Sequence, residues 1–538
     1  MLGKREQTGE PRIENEKDRY RSSSFLIRGS RFPGSQPLFL PQLDEDSRTM
    51  ICISVSPESR TLAKVDLLNA AARCDIVELG LDHLIKEPNV AELMEDIPKP
   101  ILLSCRNKEQ GGAWEGTEQE RITLLRQAIV AGPAYIELDL ETAKSIPRFG
   151  KTKRVISYTS LERPLSTNID SIFEQAKKVN ADVVKFTWPT PTLEAAWPLL
   201  SAVSKKRDIP VVGLGLGRTG LTFSLLGRKY GSPWIYAALE KGMEAYAGQA
   251  TVFELDETYG WRSIDPQTRL LAVAGLGDAE SVTVRTMNKM FDKINLNMRC
   301  LPVATEKFDK FKQMLDALKI NVLVAAGSTA EHMLQLAEKM EEVTQMSQHG
   351  DLMIKQNDVW TAYNSLWRSA VKALEATLGK GEGDARPLDR RNVMVIGSGG
   401  LAKSMIFGIA KRKGLVSVTS SNDKEAQALA IQMGVRFVPY QNLYNTLADV
   451  VVFADPGLQL GGKKEEFNPG YLRATMMAID VTTMPGESPV MKEARERGAK
   501  TVSPVDVYAE QLATQFKSAT GQDLPAADFR KELMTVPE

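Results

Sequence analysis

The run ADVVKFT, residues 181–187, reads as a buried β-strand carrying a single lysine, Lys185, near its C-terminal end. It is the sixth of eight comparable runs between residue 50 and about residue 262. The others are MICISV (50–55), CDIVEL (74–79), KPILLSC (99–105), AYIELDL (134–140), RVISYT (154–159), IPVVGLG (209–215) and PWIYAAL (233–239). Each is followed by amphipathic sequence of helical length. Eight β units alternating with helices predict a closed parallel (β/α)8 barrel rather than an open sheet. Chemistry in such a barrel sits at the C-terminal strand ends, so Lys185 is expected at the mouth. Held away from water, an amine favours its neutral form and can attack a ketone to give an iminium, which acidifies the adjacent C–H bond.

At 538 residues the chain is long enough for roughly two to four compact units. Hydrophobic residues make up 43% and charged residues 25%, and 68 basic side chains balance 68 acidic ones. That balance argues against nucleic acid or an anionic membrane as the main partner. Cys52, Cys74, Cys105 and Cys300 are scattered, three of them in or beside predicted core strands. They read as buried apolar residues in a reducing compartment. No CxxC pair or Cys/His cluster has metal-ligand spacing, so no metal is expected. No stretch reaches the ~18 apolar residues of a membrane span. Residues 1–47 are polar, dense in Arg, Glu and Ser and without a signal-peptide core; they are expected to be a flexible tail. A cytoplasmic location follows by default.

After a barrel over 48–262, the alternation predicts a further α/β unit over 263–378, starting with LLAVAGLG. A non-periodic linker, GKGEGDARPLDRR, follows at 379–391. Residues 392–503 then open with NVMVIGSGGLAKSMIFGIAKRKG, which gives strand, glycine turn and helix. Gly397, Gly399, Gly400, Leu401 and Ala402 make the turn GSGGLA. In that setting backbone N–H groups and the helix dipole would face a pyrophosphate, and glycine permits its close approach. The alternative is a tight strand–helix turn without a ligand. A helical segment within 504–538, VDVYAEQLATQFKSATG, is expected to close the fold by packing back on the 263–378 unit.

Over the barrel the sequence resembles the type I 3-dehydroquinate dehydratases. Glu78 in DIVELGLD falls on that family's second-strand acidic residue, and Arg106 in RNKEQGG on its third-strand arginine. GLGRTG (215–220) with KYGS (229–232) matches the seventh-strand loop, and Gly248-Gln249 the closing loop. The resemblance implies that Lys185 forms a Schiff base with substrate and that Glu78, Arg106 and Gln249 bind it. It also implies a histidine after the fifth strand that takes the proton and later protonates the leaving hydroxyl. Here that run is Ser157-Tyr158-Thr159, and threonine does not titrate near neutral pH. Of three histidines, His83 is the one in the barrel, and it follows the second strand in a phase pointing away from the interior. The family's arginine after Glu-Leu is Gly80, its seventh-loop arginine is Ser224, and a serine near Gln249 is Ala245. Arg218 could supply charge from the same loop. Glu137 and Asp139, on one face of the fourth strand, could act as bases.

From residue 263 the sequence resembles shikimate dehydrogenase, whose glycine turn also reads GxGGxA. Ser281 and Thr283 in AESVTVRTMN match the paired hydroxyls that grip the substrate carboxylate. Asn321 in INVLVAAG, Asn364 in AYNSLW and Gln511 in YAEQLATQF match further substrate-binding positions. The resemblance implies a substrate domain followed by a Rossmann-type nucleotide domain, an NADP or NAD cofactor, and a small carboxylate of the shikimate type. The family's arginine for the NADP 2′-phosphate corresponds to Ser421, which shifts the expectation toward NAD, with Asp423 as a candidate partner of the ribose diol. Its proton-exchanging lysine and aspartate correspond to Gly327 and Leu366, and neither of these carries a proton.

Dehydratase followed by dehydrogenase is the order of known bifunctional shikimate-pathway proteins. One expected function is therefore dehydration of 3-dehydroquinate followed by nicotinamide-linked reduction of 3-dehydroshikimate. The other is a catalytically degenerate paralogue that binds metabolite or dinucleotide as a regulator or scaffold. Altered chemistry using Lys185 alone lies between them, and a homodimer is left open. Function lives in the sites rather than in the folds.

Overall fold

The computed structural model describes residues 49–84, 89–162, 169–205, 207–217, 220–381, 385–463 and 465–535. The tail expected over 1–47 and Arg218 lie outside the described residues.

The first unit holds β1 (Met50–Val55), β2 (Ile76–Gly80), β3 (Ile101–Ser104), β4 (Tyr135–Asp139), β5 (Lys153–Thr159), β6 (Val183–Pro189), β7 (Val211–Leu216) and β8 (Trp234–Ala237). All pair in parallel in the order β7-β6-β5-β4-β3-β2-β1-β8. Because β8 returns to pair with β1, the sheet curls into a nearly closed barrel, with no hydrogen-bond ladder between β7 and β8 among the described residues. Strand periodicity sorts the inward side chains into layers. Cys52, Ile76, Leu102, Val155, Val183, Val212 and Trp234 fill the interior as one apolar cluster. Two residues further along their strands, Glu78, Ser104, Ser157 and Lys185 make a polar layer toward the C-terminal ends, together with Glu137 of β4. Outside, helices such as Glu118–Val130, started by a Thr117/Glu120 capping box, bury one apolar face against the sheet.

The second unit carries β9 (Arg269–Ala274), β10 (Met298–Pro302), β11 (Ile320–Ala325), β12 (Lys339–Met340), β13 (Leu352–Gln356) and β14 (Val359–Tyr363), in the order β10-β9-β11-β13-β14-β12. The closing helices Pro504–Thr520 and Ala526–Met534 pack on helices Glu280–Lys293 and Leu366–Leu378 of this unit. Its core is continuous with the outer layer of the barrel. Backbone and lysine contacts tie the two together: Leu193 N donates to Ala304 O at 2.8 Å, and Lys229 Nζ to Pro266 O at 2.9 Å and Thr268 O at 2.7 Å.

The third unit is a parallel sheet of β15 (Asn392–Ile396), β16 (Leu415–Thr419), β17 (Arg436–Phe437), β18 (Val450–Phe453), β19 (Met477–Asp480) and β20 (Lys500–Thr501), ordered β17-β16-β15-β18-β19-β20. That is the doubly wound arrangement, and its strand order reverses between β15 and β18, where ligands of such sheets bind. The glycine turn sits there, after β15. Among the described residues no helix is long and apolar enough to cross a membrane, and no cluster of His, Cys, Asp or Glu could hold a metal ion. All four cysteines are free and buried.

Candidate functional site

In the barrel, Lys185 is 1% exposed. Its Nζ donates to Glu137 Oε2 at 2.9 Å and lies 4.5 Å from the centroid of the Tyr236 ring. Arg106, just past β3, grips the same carboxylate with Nε at 3.1 Å from Oε1 and a terminal nitrogen at 2.7 Å from Oε2. That terminal nitrogen also pairs with Glu78, whose other oxygen accepts from Ser54 Oγ at 2.7 Å. Two cations and two carboxylates therefore cancel where an unpaired charge would be costly. Burial works to raise Glu137, but the adjacent Arg106 and Lys185 hold its carboxyl far below the usual carboxylate range. So low a proton affinity makes Glu137 a poor base toward substrate. The expected free amine at the mouth is thus an ion-paired, buried one, which becomes nucleophilic only after giving up its proton.

Asp139 does not join this cluster. It caps helix Leu140–Ser145, accepting from Thr142 N at 2.8 Å, and pairs with Arg121 at 2.9 Å. Gln249 Oε1 accepts from Ala245 N at 2.7 Å, so the side chain ties down its own loop. His83 stands 3.4 Å from Asp82 and lines a separate cavity of about 840 Å³ beside Trp114 and Glu115. The side chain of Ser224 lies outside the described residues.

The second site is a cavity of about 640 Å³ at the seam between the second and third units. Residues 324–327 at the end of β11, 348–351 before β13, the turn residues 398–401, Leu366, Tyr508, Gln511 and Gln515 contribute to its wall. Gly397 adopts φ +137°, and a Cβ there would come within 2.7 Å of Ala454 O. Ala402, directly behind the turn, is fully buried. Gly399 starts helix Gly400–Ala410 without a side-chain cap, so the first helical amides stay free. Free amides at a helix start, with glycines that let a ligand close, fit a dinucleotide pyrophosphate. A Cβ on Gly400 would lie 2.9 Å from His349 Cβ, so the missing side chain brings His349 against the turn.

Asp351 anchors the wall. Its Oδ1 accepts from Ser365 N at 2.8 Å, and its Oδ2 from Ser365 Oγ at 2.9 Å, Leu366 N at 2.9 Å and Gln511 Nε2 at 2.8 Å. Burial pushes this carboxyl upward, against the pull of those donors. Asn364 is buried and structural in its contacts, donating to His349 O at 3.2 Å and Ser404 Oγ at 2.8 Å. Thr283 lies behind the cavity with Oγ1 at 2.5 Å from the Tyr508 hydroxyl. Ser281 and Asn321 are solvent-exposed and do not line the cavity. The first lies on the outer side of its helix start, and the second sits where β11 slips register against β9. Asp423 is occupied by Tyr440 N at 2.7 Å, whereas Glu425 reaches the glycine turn and accepts from Ser398 Oγ at 2.9 Å. The sequence reading missed His349, Asp351, Tyr508 and Gln515. The available signal was the His-Gly-Asp run directly before the apolar strand LMIK.

Comparison with known proteins follows the same division. Residues 51–266 match the profile of the type I 3-dehydroquinase family. The chloroplastic bifunctional 3-dehydroquinate dehydratase/shikimate dehydrogenase of Arabidopsis thaliana is 25% identical over 502 residues, covering 89% of this chain and 83% of that protein. The 3-dehydroquinate dehydratase of Methanocaldococcus jannaschii is 28% identical over 224 residues, 40% of this chain and 99% of the relative. The solved dehydroquinate dehydratase and shikimate dehydrogenase from S. pombe superposes with a TM-score of 0.43 at 17% identity, covering 91% of this chain and 99% of that one. The barrel thus matches the type I 3-dehydroquinase family over its own length, and the chain as a whole is similar to a bifunctional 3-dehydroquinate dehydratase/shikimate dehydrogenase.

Proposed function

We propose that this is a two-site protein of the shikimate pathway. The barrel takes 3-dehydroquinate as a Schiff base on Lys185 toward 3-dehydroshikimate, and the seam cavity reduces a shikimate-type keto acid with a nicotinamide dinucleotide. The observation that carries this reading is the buried cluster of Lys185, Glu137, Arg106 and Glu78, an amine held among charged groups in the layer of a (β/α)8 barrel where chemistry is done. Once deprotonated, the Lys185 amine attacks the ketone carbon and water leaves. The resulting iminium acidifies the adjacent C–H bond, and water takes that proton. The C–H electron pair forms the C=C bond as hydroxide leaves the next carbon. Hydrolysis of the product iminium by a second water frees the ketone and the Lys185 amine. In the seam cavity, the free amides at Gly399 and Gly400 hold the pyrophosphate, and the dinucleotide supplies hydride when bound. Glu425 beside the turn favours the ribose diol of NAD over the 2′-phosphate of NADP, taking the role first assigned to Asp423.

The test is borohydride trapping with 3-dehydroquinate and peptide mass analysis, with the Arabidopsis relative as the positive control. A reduced adduct on Lys185 is expected. Complete labelling of the control with no adduct on Lys185 would overturn the barrel reading. Calorimetry with NAD and NADP tests the second site, and tighter binding of NADP contradicts the role given to Glu425.

A further inference from the structure

The positions that correspond to the proton-exchanging lysine and aspartate of shikimate dehydrogenases, Gly327 and Leu366, both line the seam cavity. Neither carries a proton, but His349 and Asp351, which do, line the same cavity. β11 and β13 run antiparallel with Val324 opposite Leu352, and Ala325 N donates to Asp351 O at 3.1 Å. Beyond Ala325 that ladder ends, Ala326 N turning to Ala274 O at 3.1 Å, and Gly327 and His349 both stand on the wall of the same cavity. At the other position the Leu366 backbone N donates to Asp351 Oδ2 at 2.9 Å, so a carboxylate from a neighbouring strand end sits at Leu366 itself.

We infer that His349 and Asp351 replace the missing pair: His349 meets the reacting oxygen of the substrate and exchanges its proton, and Asp351 is the positioning residue that fixes this wall. The inference rests on reading the seam cavity as a dehydrogenase site. His349 is partly buried and lines the cavity, while its ring nitrogens make no hydrogen bond to any described residue. Its backbone, by contrast, is fixed, with N donating to Ser347 Oγ at 3.2 Å and O accepting from Asn364 Nδ2 at 3.2 Å. The close approach of its Cβ to Gly400 keeps His349 beside the glycine turn. Independent signs of a ligand come from Gln511 and Gln515. They line the same cavity, are 7% and 1% exposed, and each leaves a buried Oε1 without a partner. Such unmet acceptors suit the hydroxyls of a polyhydroxy ring.

In the reductive direction the carbonyl carbon accepts hydride from a dihydronicotinamide and the C=O π pair moves onto oxygen. The His349 imidazolium gives that oxygen its proton. The ketone is reduced to an alcohol, the dihydronicotinamide is oxidised, and the imidazole is left neutral. The charged groups facing His349 are Asp351 and Glu331; burial outweighs their attraction and lowers the imidazole below its ordinary value. Reduction should therefore fall as pH rises through that lowered value, because the donor form is lost.

The experiment uses the full chain, its His349→Gln, His349→Asn and Asp351→Asn variants, and two readouts. The first is imidazole NMR titration with shikimate alone, His349 being assigned by its loss in the variants. The second is oxidation of NADH or NADPH by 3-dehydroshikimate across pH. Shikimate should move the His349 resonances and titration midpoint, and Asp351→Asn should lower that midpoint. His349→Gln, with an unchanged melting temperature, should reduce kcat on the order of 100-fold with little change in KM. If shikimate binds and the ketone is reduced, but His349 does not respond and both histidine variants turn over like the parent, the inference is wrong and the dehydrogenase reading survives. If the parent neither binds shikimate nor oxidises either dinucleotide, the reading of the cavity fails and the inference falls with it.

Discussion

The two sites of this chain are built on opposite electrostatic plans. In the barrel, the charges of Lys185, Arg106, Glu137 and Glu78 satisfy one another, and the amine is held in an ion pair before any ligand arrives. The neutral Ser104 and Tyr236 hydroxyls of the same interior lack hydrogen-bond partners among the described residues. At the seam, Asp351 is saturated with donors, but Gln511 and Gln515 each leave an acceptor unmet and the His349 imidazole makes no hydrogen bond to any described residue. A closed charge cluster must be opened by its substrate. A cavity with unmet partners gains by being filled, since buried polar groups without hydrogen bonds are costly. Retained residues in the barrel therefore do not by themselves imply the more reactive site, nor do replaced residues at the seam imply an inert one.

Truncating the anchor of the open site should have the largest effect. Asp351→Ala strands four donors and is expected to destabilise the chain by about 3 kcal/mol, read as a shift of the denaturant midpoint. A loss below about 1 kcal/mol would mean that the wall does not depend on this carboxylate. Gly400→Val places side-chain atoms against His349 and Ser347. It should weaken dinucleotide binding about 100-fold, roughly 2.7 kcal/mol, while leaving adduct formation at Lys185 unchanged. Loss of both would show that the two sites are not independent.

A smaller effect is expected in the closed site. Glu137→Gln removes the carboxylate that holds the proton on Lys185 while Arg106 stays. Borohydride trapping at neutral pH should become about tenfold faster, because the amine loses the carboxylate to which its N–H donates. Slower trapping would assign Glu137 a catalytic task that outweighs its hold on the amine.

The smallest effect is a difference of sign with pH. Glu137 is lowered in the fold by Arg106 and Lys185, despite its burial. Its contribution to stability is present above its unfolded value of roughly 4.3 and lost as pH falls through the folded one. Asp351 is raised by burial, so its contribution is present below an unfolded value of roughly 3.9 and lost as pH rises through the folded one. Denaturant midpoints across this range should lose their acid-side fall in Glu137→Gln and their loss on rising pH in Asp351→Asn. Identical slopes in the two variants would erase the contrast.

Local pattern alone determined much of this. Eight apolar runs spaced by helices gave the barrel, and period-two alternation put Glu78 and Lys185 on its inner face, because side-chain direction along a strand is a one-dimensional property. The glycine turn was legible for a similar reason, since strand, turn and helix are contiguous in GSGGLA. Tertiary structure decided what those residues touch. Glu137 meets Lys185 from 48 residues away and Arg106 from 31, while Asp139, two residues along on the same predicted face, is drawn off to cap a helix and pair with Arg121. Ser281 and Asn321 matched substrate-binding positions by alignment but lie exposed, because a helix start and a strand irregularity turn them outward. Asp351 is brought beside Ala325, and with His349 onto the wall that Gly327 and Leu366 share, only through the antiparallel register of β11 on β13. Register and helix docking are fixed by packing summed over whole elements, and the charge state of a buried group by neighbours distant in sequence; neither can be read from a residue and its immediate flanks.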